Sequence, residues 1–421
     1  MRAGDQLTLS IEKPAAGGRM IAWRDGAVVL VAGAIPGEVV EARVEKVQRG
    51  TVWADATRVL DRSPDRIDGD LQPGCGGNVF SHVRYERQLD LKRAIIADGF
   101  RRLGRLETPA NFRIAASPID GYRMRARLHV LDGRIGFFRD GTHRVCDPGP
   151  TRQLTQAAIA ALNELQPALA RSPHNVEAVE VAENRTGVQR ALHLVCRDAA
   201  LLSASRLPSS LSGVTGLSWG SRNAAERQVA HGAPTVSDTL ELGQHGTVTL
   251  TRHVNAFFQG NRFLLQPLLE AVVAVVPVGR VLDLYAGVGL FAVALARRRD
   301  SSVVAIEGDE VAAADLAGNA QQVGASLEAR WESVEAFLAT TAAGAFESVI
   351  VDPPRTGMSK EAVHGLIAMQ PSRIVYVSCD VATLSRDARR LVDAGYRISH
   401  LEAFDLFPNT AHVETLIVFE Q

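Results

Sequence analysis

The sequence of 421 residues has few cysteines and no long apolar run. Its four cysteines are Cys75, Cys146, Cys196 and Cys379. They are scattered, which is not the pattern of a disulfide framework in a small secreted domain. The most apolar stretch, residues 268–278, is shorter than the ~20 residues that a membrane-spanning helix needs, and residues 1–10 lack the apolar core of a signal peptide. We therefore expect a soluble protein in the reducing cytoplasm, with no membrane partner.

The sequence also has little net charge and little lysine. Its 46 basic and 47 acidic residues leave a formal charge of −1, so no overall positive field indicates a nucleic-acid partner. The four lysines are Lys13, Lys46, Lys92 and Lys360, and the other basic residues are arginines. Arginine pairs well with phosphate, but a compositional bias explains the overall skew more simply. Local basic clusters at 101–105 and 123–127 stay candidates for phosphate contacts.

The order of predicted elements divides the chain into three regions. Residues 1–62 contain short β-branched runs between Gly-rich turns, which predict a small β-barrel of the oligonucleotide-binding kind. Residues 61–77 are rich in Asp, Pro and Gly and mark a boundary. Residues 63–255 mix helix and strand patterns, which predicts an α+β RNA-binding region. Its strands are expected at 124–130, 134–138, 191–195 and 246–250, and its clear helix at 155–168. Residues 256–421 alternate strand and helix, which predicts an α/β domain with a doubly wound parallel sheet covered on both faces. The strands are expected at 281–285, 303–307, 348–352, 374–378, 398–406 and 415–419, and the helices at 289–298, 310–323, 360–369 and 382–394.

The start of the third region has the features of a nucleotide-binding turn. Val281–Gly289 (VLDLYAGVG) is a buried strand that enters a glycine turn and a helix, and glycine allows a ligand to approach the backbone closely. The next predicted strand ends at Glu307, where a carboxylate can accept both hydroxyls of a ribose. No third glycine follows Gly289, so a nicotinamide cofactor is disfavoured. The pattern resembles the class I S-adenosylmethionine-dependent methyltransferases.

Three further segments place reactive side chains after predicted strands. They are Asp352–Gly357 (DPPRTG), Tyr376–Asp380 (YVSCD) and Asp405–Glu414 (DLFPNTAHVE). Asp352 and the thiol of Cys379 are expected at one edge of the sheet, because the carboxyl ends of parallel strands meet there. A buried cysteine is usually a small apolar residue, but this position favours a reactive one.

A methyltransferase needs a thiol for a carbon acceptor. Carbon 5 of a pyrimidine is a poor nucleophile until a thiolate adds to carbon 6, after which carbon 5 can attack the methyl group. The adduct then carries a proton on carbon 5, which a carboxylate can remove as a general base. The sequence therefore predicts Cys379 as the nucleophile and Glu414 as the proton acceptor, with no catalytic role for His412.

These segments together resemble the RNA uracil-5-methyltransferases, which make 5-methyluridine in transfer and ribosomal RNA. Phe257–Asn261 (FFQGN) is similar to a segment of that family, and residues 17–40 resemble the TRAM domain, an RNA-binding β-barrel. The resemblance implies that Cys379 is the nucleophile and Glu414 the base. It also implies that Gln259, Tyr285, Glu307 and Asp352 bind S-adenosylmethionine. It further implies an RNA partner, for which we favour ribosomal RNA, and we expect a monomer.

The sequence departs from this family at several positions. Many members that act on ribosomal RNA hold an iron–sulfur cluster with four cysteines, but here Asn78 replaces one such cysteine and no cysteine precedes Cys75. At most two thiolates remain, so we expect no cluster and no metal site. Asp380 and Asn409 also differ from the residues that are usual there, which leaves the chemistry intact but affects positioning of the base.

Four alternatives remain at this stage. The same chemistry on transfer RNA is the first. An RNA cytosine-5-methyltransferase commonly uses a second cysteine after the Asp-x-Pro turn, where this chain has Arg355. An amino-group methyltransferase has an aromatic residue at that position and needs no thiol. A non-catalytic RNA-binding factor on the same scaffold is the fourth alternative. Such a factor would not need the nucleophile and the base, yet both residues are present.

Overall fold

The computed structural model describes residues 1–68, 74–109, 111–170, 175–221 and 227–421. Their strands form four sheets, of six, seven, two and eight strands. Within these residues, no helix is long and apolar enough to cross a membrane. The predicted boundary segment, residues 61–77, includes 69–73, which lie outside the described residues.

The first sheet is a closed barrel. Its strands are β1 (Gln6–Ser10), β2 (Lys13–Pro14), β3 (Met20–Arg24), β4 (Ala27–Ala32), β5 (Val39–Gln48) and β6 (Thr51–Asp61). They pair in the order β1-β5-β6-β4-β3-β2. The two end strands, β1 and β2, are consecutive in the chain, and between them Ile11 N donates to Glu38 O and Glu12 N donates to Ile21 O, both at 2.9 Å. The sheet therefore closes on itself, which confirms the barrel predicted for the N-terminal region.

A helix connects the barrel to the rest of the molecule. Helix α1 (Tyr85–Gly99) continues into a π-helical turn, Phe100–Gly104. Its apolar face buries Leu91, Ile95 and Ile96, as the periodicity of the sequence predicts. Gln88 and Lys92 lie on the same buried side, which makes this helix more than a spacer.

The central region contains a seven-stranded sheet. In chain order the elements are β7 (Ile114–Ala115), β8 (Arg125–Leu131), β9 (Arg134–Phe138), β10 (Val145–Cys146), α2 (Gln156–Ala170), β11 (Val176–Glu183), β12 (Arg190–Cys196), β13 (Gly216–Ser221) and β14 (Gln228–Gly232). The sheet order is β10-β9-β8-β11-β12-β13-β14, and β7 is not part of it. Helix α2 covers one face, where Leu162 and Leu165 share a core with Leu128 and Leu192. This confirms the α+β architecture, although β7, β10, β11, β13 and β14 were not predicted.

The third sheet is a hairpin that leads into the C-terminal region. Its strands are β15 (Thr235–Glu241) and β16 (Thr247–His253). They pair in a regular antiparallel register, with Asp238 opposite Leu250. The prediction located only part of β16 and missed β15.

The C-terminal region is an eight-stranded sheet with helices on both faces. In chain order its elements are α3 (Leu265–Val275), β17 (Arg280–Leu284), α4 (Leu290–Ala296), β18 (Ser302–Glu307), α5 (Glu310–Ala320), β19 (Leu327–Trp331), α6 (Val334–Thr340), β20 (Ser348–Val351), α7 (Lys360–Met369), β21 (Arg373–Ser378), α8 (Val381–Asp393), β22 (Arg397–Phe404) and β23 (Glu414–Glu420). The order is β19-β18-β17-β20-β21-β23-β22-β7. This confirms the predicted doubly wound class I methyltransferase fold, although α3, β19 and α6 were missed.

One strand departs from the predicted parallel arrangement. Strand β23 inserts between β21 and β22 and is antiparallel to both. The chain turns back over residues 405–413 without a crossover helix, so the last strand must run against its neighbours. As a result, Glu414 begins a strand at the edge where β21 ends, with Thr415 opposite Ser378.

The far edge of this sheet is covered by a strand from the N-terminal half. Strand β7 pairs in parallel with β22, with Ala403 opposite Ile114 and Phe404 opposite Ala115. Ala403 N also donates to Arg113 O at 2.9 Å. The sheet therefore ends on a segment from far earlier in the chain, because the paired residues Ile114 and Ala403 are ~290 positions apart.

Two of the four cysteines are bonded to each other. Cys75 and Cys146 form a disulfide with their Cα atoms 6.0 Å apart, whereas Cys196 and Cys379 are free. The expectation of scattered, unpaired thiols is wrong for this pair. Strand β10 pairs with β9, and Gly76 N donates to Phe138 O of β9 at 2.9 Å. These contacts bring two residues that are distant in sequence into bonding range.

Candidate active site

The turn after β17 holds Glu307 in place by backbone hydrogen bonds. Gly287 N donates to one oxygen of the Glu307 carboxylate at 2.7 Å, and Asp309 N donates to the other, also at 2.7 Å. Glu307 ends β18 and is half-buried. Its carboxylate therefore faces the crevice beyond the strand ends, where the sequence predicted a ribose contact.

The backbone of this turn fits a ligand that lies against it. Tyr285, Gly287 and Gly289 have positive φ values of 62°, 57° and 94°. The φ of Gly289 is strained for any other residue, and a Cβ there would also lie 2.8 Å from Leu316 Cδ1, so this position favours glycine. A Cβ at Gly287 would meet no atom within 4 Å, so the face of that residue is open for the close approach of a nucleoside.

Asp352 and Gln259 form a hydrogen-bonded pair at the switch point of the sheet. Gln259 Nε2 donates to Asp352 Oδ2 at 2.9 Å. Burial raises the pKa of Asp352 to about 7, against the lowering effect of this hydrogen bond. Asp283, fully buried in β17, also has a raised pKa, first because of burial and then because of Asp352. Burial therefore disfavours the charged form of both carboxyl groups in this part of the site.

Cys379 lies at the junction of a strand and a helix. It follows β21, and the next residue, Asp380, caps α8 by accepting a hydrogen bond from Thr383 N at 2.8 Å. Aspartate and asparagine are equally good caps, so the change at Asp380 preserves this junction. Burial raises the pKa of the Cys379 thiol to about 12, and the neighbouring Glu414 adds to the rise.

Glu414 is the most deeply buried of the predicted site residues. It is 2% exposed, and no side-chain hydrogen bond to it is found among the described residues. Burial raises its pKa well above the usual range of a glutamate, and Asp352 raises it further. The electrostatic coupling of Glu414 with both Cys379 and Asp352 indicates that the three side chains face the same small space.

The sequence analysis gave no role to Arg355, whose charge acts on both predicted reactive groups. The positive charge of its guanidinium acts to lower the pKa of the Cys379 thiol. The same positive charge lowers the pKa of Glu414. Arg355 entered the sequence analysis only as the residue that replaces a cysteine or an aromatic. Its place directly after the Pro-Pro turn, beside Asp352, was the available signal.

A buried network from α1 holds the loop that carries Glu414. Gln88 Nε2 donates to Asn409 Oδ1 and Asn409 N donates to Gln88 Oε1, both at 2.9 Å. Lys92 is fully buried and paired with Asp405, and its Nζ also donates to Phe407 O at 3.0 Å. Tyr85 Oη donates to Asp405 Oδ2 at 2.8 Å. Asn409 has a φ of 62°, which asparagine adopts more readily than most residues.

The structure therefore brings the predicted residues to one edge of the sheet, at the carboxyl ends of its parallel strands. Cys379, Glu414, Asp352 and Gln259 lie together there, and Glu307 lies along the same edge at the end of β18, two strands from β20. Tyr285 is on the turn as predicted, but its side chain lies toward Glu335 and Asp387, whose charges help to raise its pKa.

Comparison with known proteins gives this site a family. Residues 220–421 match the family model of the tRNA (Uracil-5-)-methyltransferases, and residues 2–57 match that of the TRAM domain. A 23S rRNA (uracil(1939)-C(5))-methyltransferase of Pseudomonas putida is 33% identical, covering 99% of this chain and 94% of its own. The corresponding enzyme of Alkalilimnicola ehrlichii is 34% identical, covering 96% and 94%. The chain belongs to the RNA uracil-5-methyltransferase family.

A solved structure supports the same fold over the whole chain. The tRNA (uracil-54, C5)-methyltransferase of Pyrococcus abyssi, in complex with S-adenosyl-L-homocysteine, has a TM-score of 0.77 and is 24% identical, covering 98% of this chain and 99% of its own. As an RNA uracil-5-methyltransferase, this chain is an enzyme that uses S-adenosylmethionine. The predicted family, TRAM domain and cofactor are thereby confirmed, and the non-catalytic alternative is not supported.

Proposed function

We propose that this RNA uracil-5-methyltransferase methylates carbon 5 of a uridine in 23S ribosomal RNA through a covalent adduct with Cys379. The convergence of Cys379, Glu414 and Arg355 at one point of the sheet edge carries this proposal. A thiol, a buried carboxyl and a cation in one small space are what the addition and elimination at a pyrimidine require.

The reaction begins at the thiol of Cys379. The thiol proton passes to solvent, and the sulfur bonds to carbon 6 of the uracil, whose double-bond electrons pass to carbon 5 and the carbonyl at carbon 4. Arg355 stabilises the thiolate against the burial that disfavours it. Carbon 5 then takes the methyl group that S-adenosylmethionine supplies. Glu414 removes the remaining proton from carbon 5, and the released electron pair re-forms the double bond and expels the Cys379 thiolate.

The cofactor residues divide into two sets in this proposal. Glu307 accepts the ribose hydroxyls at the end of β18, and the turn at Tyr285 and Gly287 forms the floor under the nucleoside. Gln259 and Asp352 lie on the side of the reacting atoms, where they orient the methyl donor against the uracil. The hydrogen bond between them fixes both side chains before any ligand arrives.

Ribosomal RNA is favoured over transfer RNA by the relatives. The enzymes that match over nearly the full length at 33% and 34% identity act on a uracil of 23S rRNA, by their names. The solved enzyme that acts on transfer RNA is 24% identical. A monomeric state, a cytoplasmic location and the domain boundaries at 62 and 255 stay predictions.

A labelling experiment tests the proposal. Purified protein is incubated with tritiated S-adenosylmethionine and total RNA from a strain that lacks this gene, and nucleosides are analysed from separated RNA fractions. We expect label in 5-methyluridine of the large ribosomal RNA. Cys379→Ser should abolish the label and the covalent protein–RNA adduct while cofactor binding persists, and Cys196→Ala, at the other free thiol, serves as the matched control.

Other outcomes would change the assignment in defined ways. Label in the transfer RNA fraction would retain the chemistry and replace the substrate. Label in 5-methylcytidine or in a methylated adenosine would contradict the addition to uracil. Turnover by Cys379→Ser would remove Cys379 from the mechanism.

A further inference from the structure

A cleft outside the proposed reaction centre lies between the barrel, the central sheet and the loop that carries Glu414. It has a volume of about 440 Å³, within the range of ligand pockets. Gly17 of the barrel, Gly76 and Gly77 line one side, and the β9–β10 connection at 138–143 lines another. Thr410, Ala411 and His412 form the third side. Three separate parts of the chain thus meet at this cleft.

One wall of the cleft is aromatic. The rings of His129 and Phe138 stack at 3.5 Å between centroids with an angle of 6° between their planes. The ring of His143 meets Phe138 edge-on at 5.4 Å. Phe138 is half-buried and His143 is exposed, so this wall presents ring surface to the cleft. Bases of single-stranded RNA stack on such aromatic surfaces without regard to sequence.

One cation at the rim of the cleft is available to a phosphate. Arg139 is exposed at its rim, and the described residues contain no ion pair or side-chain hydrogen bond to Arg139. Asp140 is the single carboxylate in the lining. A free guanidinium beside a ring stack is the combination with which proteins hold a nucleotide by its phosphate and its base.

The walls of the cleft are fixed in advance. The Cys75–Cys146 disulfide ties the segment before Gly76 to the end of the β9–β10 connection. Gly76 N donates to Phe138 O at 2.9 Å and Asp140 N donates to Gly74 O at 2.8 Å. A Cβ at Gly76 would lie 2.8 Å from Phe138 O, so this close approach requires glycine. A ligand would therefore find the wall already in place, which lowers the entropy cost of binding.

The cleft lies next to the reaction centre. His412 is two residues before Glu414, and the charges of Arg355 and Asp380 reach its imidazole, so it borders both spaces. Burial lowers the pKa of His412 to about 4, so it is neutral at neutral pH and adds no charge to the cleft. An RNA strand that enters the reaction centre must leave it past one of its sides, and this side offers ring surface and a cation.

We propose that this cleft binds a nucleotide that flanks the target uridine, with its base stacked on the Phe138–His143 wall and its phosphate paired with Arg139. The proposal rests on the proposed function only in taking RNA as the substrate. It assigns to the central region a direct contact with the flanking strand, which the barrel and the reaction centre alone would not supply.

Two exposed residues allow the proposal to be tested without disturbing the fold. Binding of fluorescently labelled single-stranded oligouridylate is measured by anisotropy for His143→Ala and Arg139→Ala, with Arg134→Ala as the control. Arg134 is an exposed arginine of the same hairpin that does not line the cleft. We expect each cleft variant to weaken binding about tenfold, as for the loss of one stacked base or one phosphate contact, and the control to bind like the parent enzyme. Arg139→Ala should also reduce the slope of log affinity against log salt by about one.

An abasic scan provides the decisive readout. The substrate is an RNA that contains the target uridine found by the labelling experiment. An abasic site is introduced at each position that flanks this uridine, one position at a time. One position should weaken binding by the unmodified enzyme as much as His143→Ala does, and it should cost the variant nothing further. Equal binding by all variants, or additive losses at every position, would overturn the proposal. Because the oligouridylate assay needs neither turnover nor a known target, the absence of 5-methyluridine in the labelling experiment would overturn the proposed function and leave the oligouridylate result standing.

Discussion

Two glutamates at the same edge of the sheet have opposite surroundings. Glu307 ends a parallel strand, is half-buried, and accepts a backbone N–H on each carboxylate oxygen. Glu414 begins the one antiparallel strand inserted beside β21, is 2% exposed, and has a pKa raised by burial and by Asp352. An acid that must hold a ligand is fixed and stabilised by amides. An acid that must exchange a proton is kept where its charge is costly.

The largest expected effect comes from removing the proposed base. Glu414→Gln keeps the size of the side chain but cannot take the carbon 5 proton, so turnover should fall by about 10²- to 10⁴-fold. Methylation of the bound base should still occur, and a protein–RNA adduct stable in denaturing gels should accumulate. The affinity for S-adenosylmethionine should be unchanged. Normal product release by this variant would break the comparison, because Glu414 would then be only a buried acid.

The matching change at the other acid should act on binding. Glu307→Gln removes the carboxylate from the end of β18 and should raise the dissociation constant of S-adenosylmethionine about tenfold, which is the loss of one charge-assisted hydrogen bond. The turnover number at saturating cofactor should change little. Calorimetry and initial rates separate the two quantities. Glu310→Gln, an exposed acid in the first turn of α5, is the control, and a fall in turnover for Glu307→Gln alone would contradict the division of roles.

The comparison can be sharpened through Arg355. The positive charge of Arg355 lowers the pKa of Cys379 and of Glu414, so Arg355→Met should raise both. Both groups must lose a proton to react, and the rising limb of kcat/KM against pH should therefore move to higher pH. At a fixed pH below this pKa, kcat/KM should fall about tenfold for each unit by which the pKa rises. Arg355→Lys should restore part of the shift. A lower plateau at an unmoved pH would show that Arg355 acts by position rather than by charge.

The smallest effect is expected from the support of the Glu414 loop. Gln88→Leu removes the paired hydrogen bonds to Asn409 and leaves a buried amide unsatisfied, which should lower the free energy of unfolding by about 1–3 kcal/mol. The turnover number should fall a few-fold while cofactor affinity stays constant. Denaturant unfolding and rates at saturating cofactor measure both, with exposed Glu86→Gln of the same helix as the control. An unchanged turnover number would mean that the loop holds its position without α1.

The sequence predicted the residues at this edge of the sheet better than the distant residues that contact and position them. Glycines, strand ends and the motif around Cys379 are local signals, and the fold brings them together by rules that apply to every doubly wound sheet. Arg355 and the pairing of Gln88 with Asn409 join positions that are close only after folding. A partial signal existed in α1, because Gln88 and Lys92 occupy helical spacing with Leu91 and Ile95 on the buried side. A lysine at an apolar position indicates a buried partner, but it does not name Asp405.

The same limit applied to strands with mixed composition. Strand β11 (VEAVEVAE) contains glutamates that form ion pairs in the central region, including the buried pair of Glu183 with Arg190. Such residues depress the apolar pattern on which the prediction depends. The disulfide was missed for a related reason, because its two cysteines approach only through the pairing of β9 with β10.

The short strand β7 has a consequence for how this enzyme can be divided or recombined. It covers the open edge of the catalytic sheet, although it is encoded far upstream of the first methyltransferase strand. A gene fragment that begins with the alternating region would produce a sheet whose β22 edge is unpaired, and unpaired edges invite association with other chains. The C-terminal domain is therefore not complete without residues 114–115, and a truncated or recombined protein must include them.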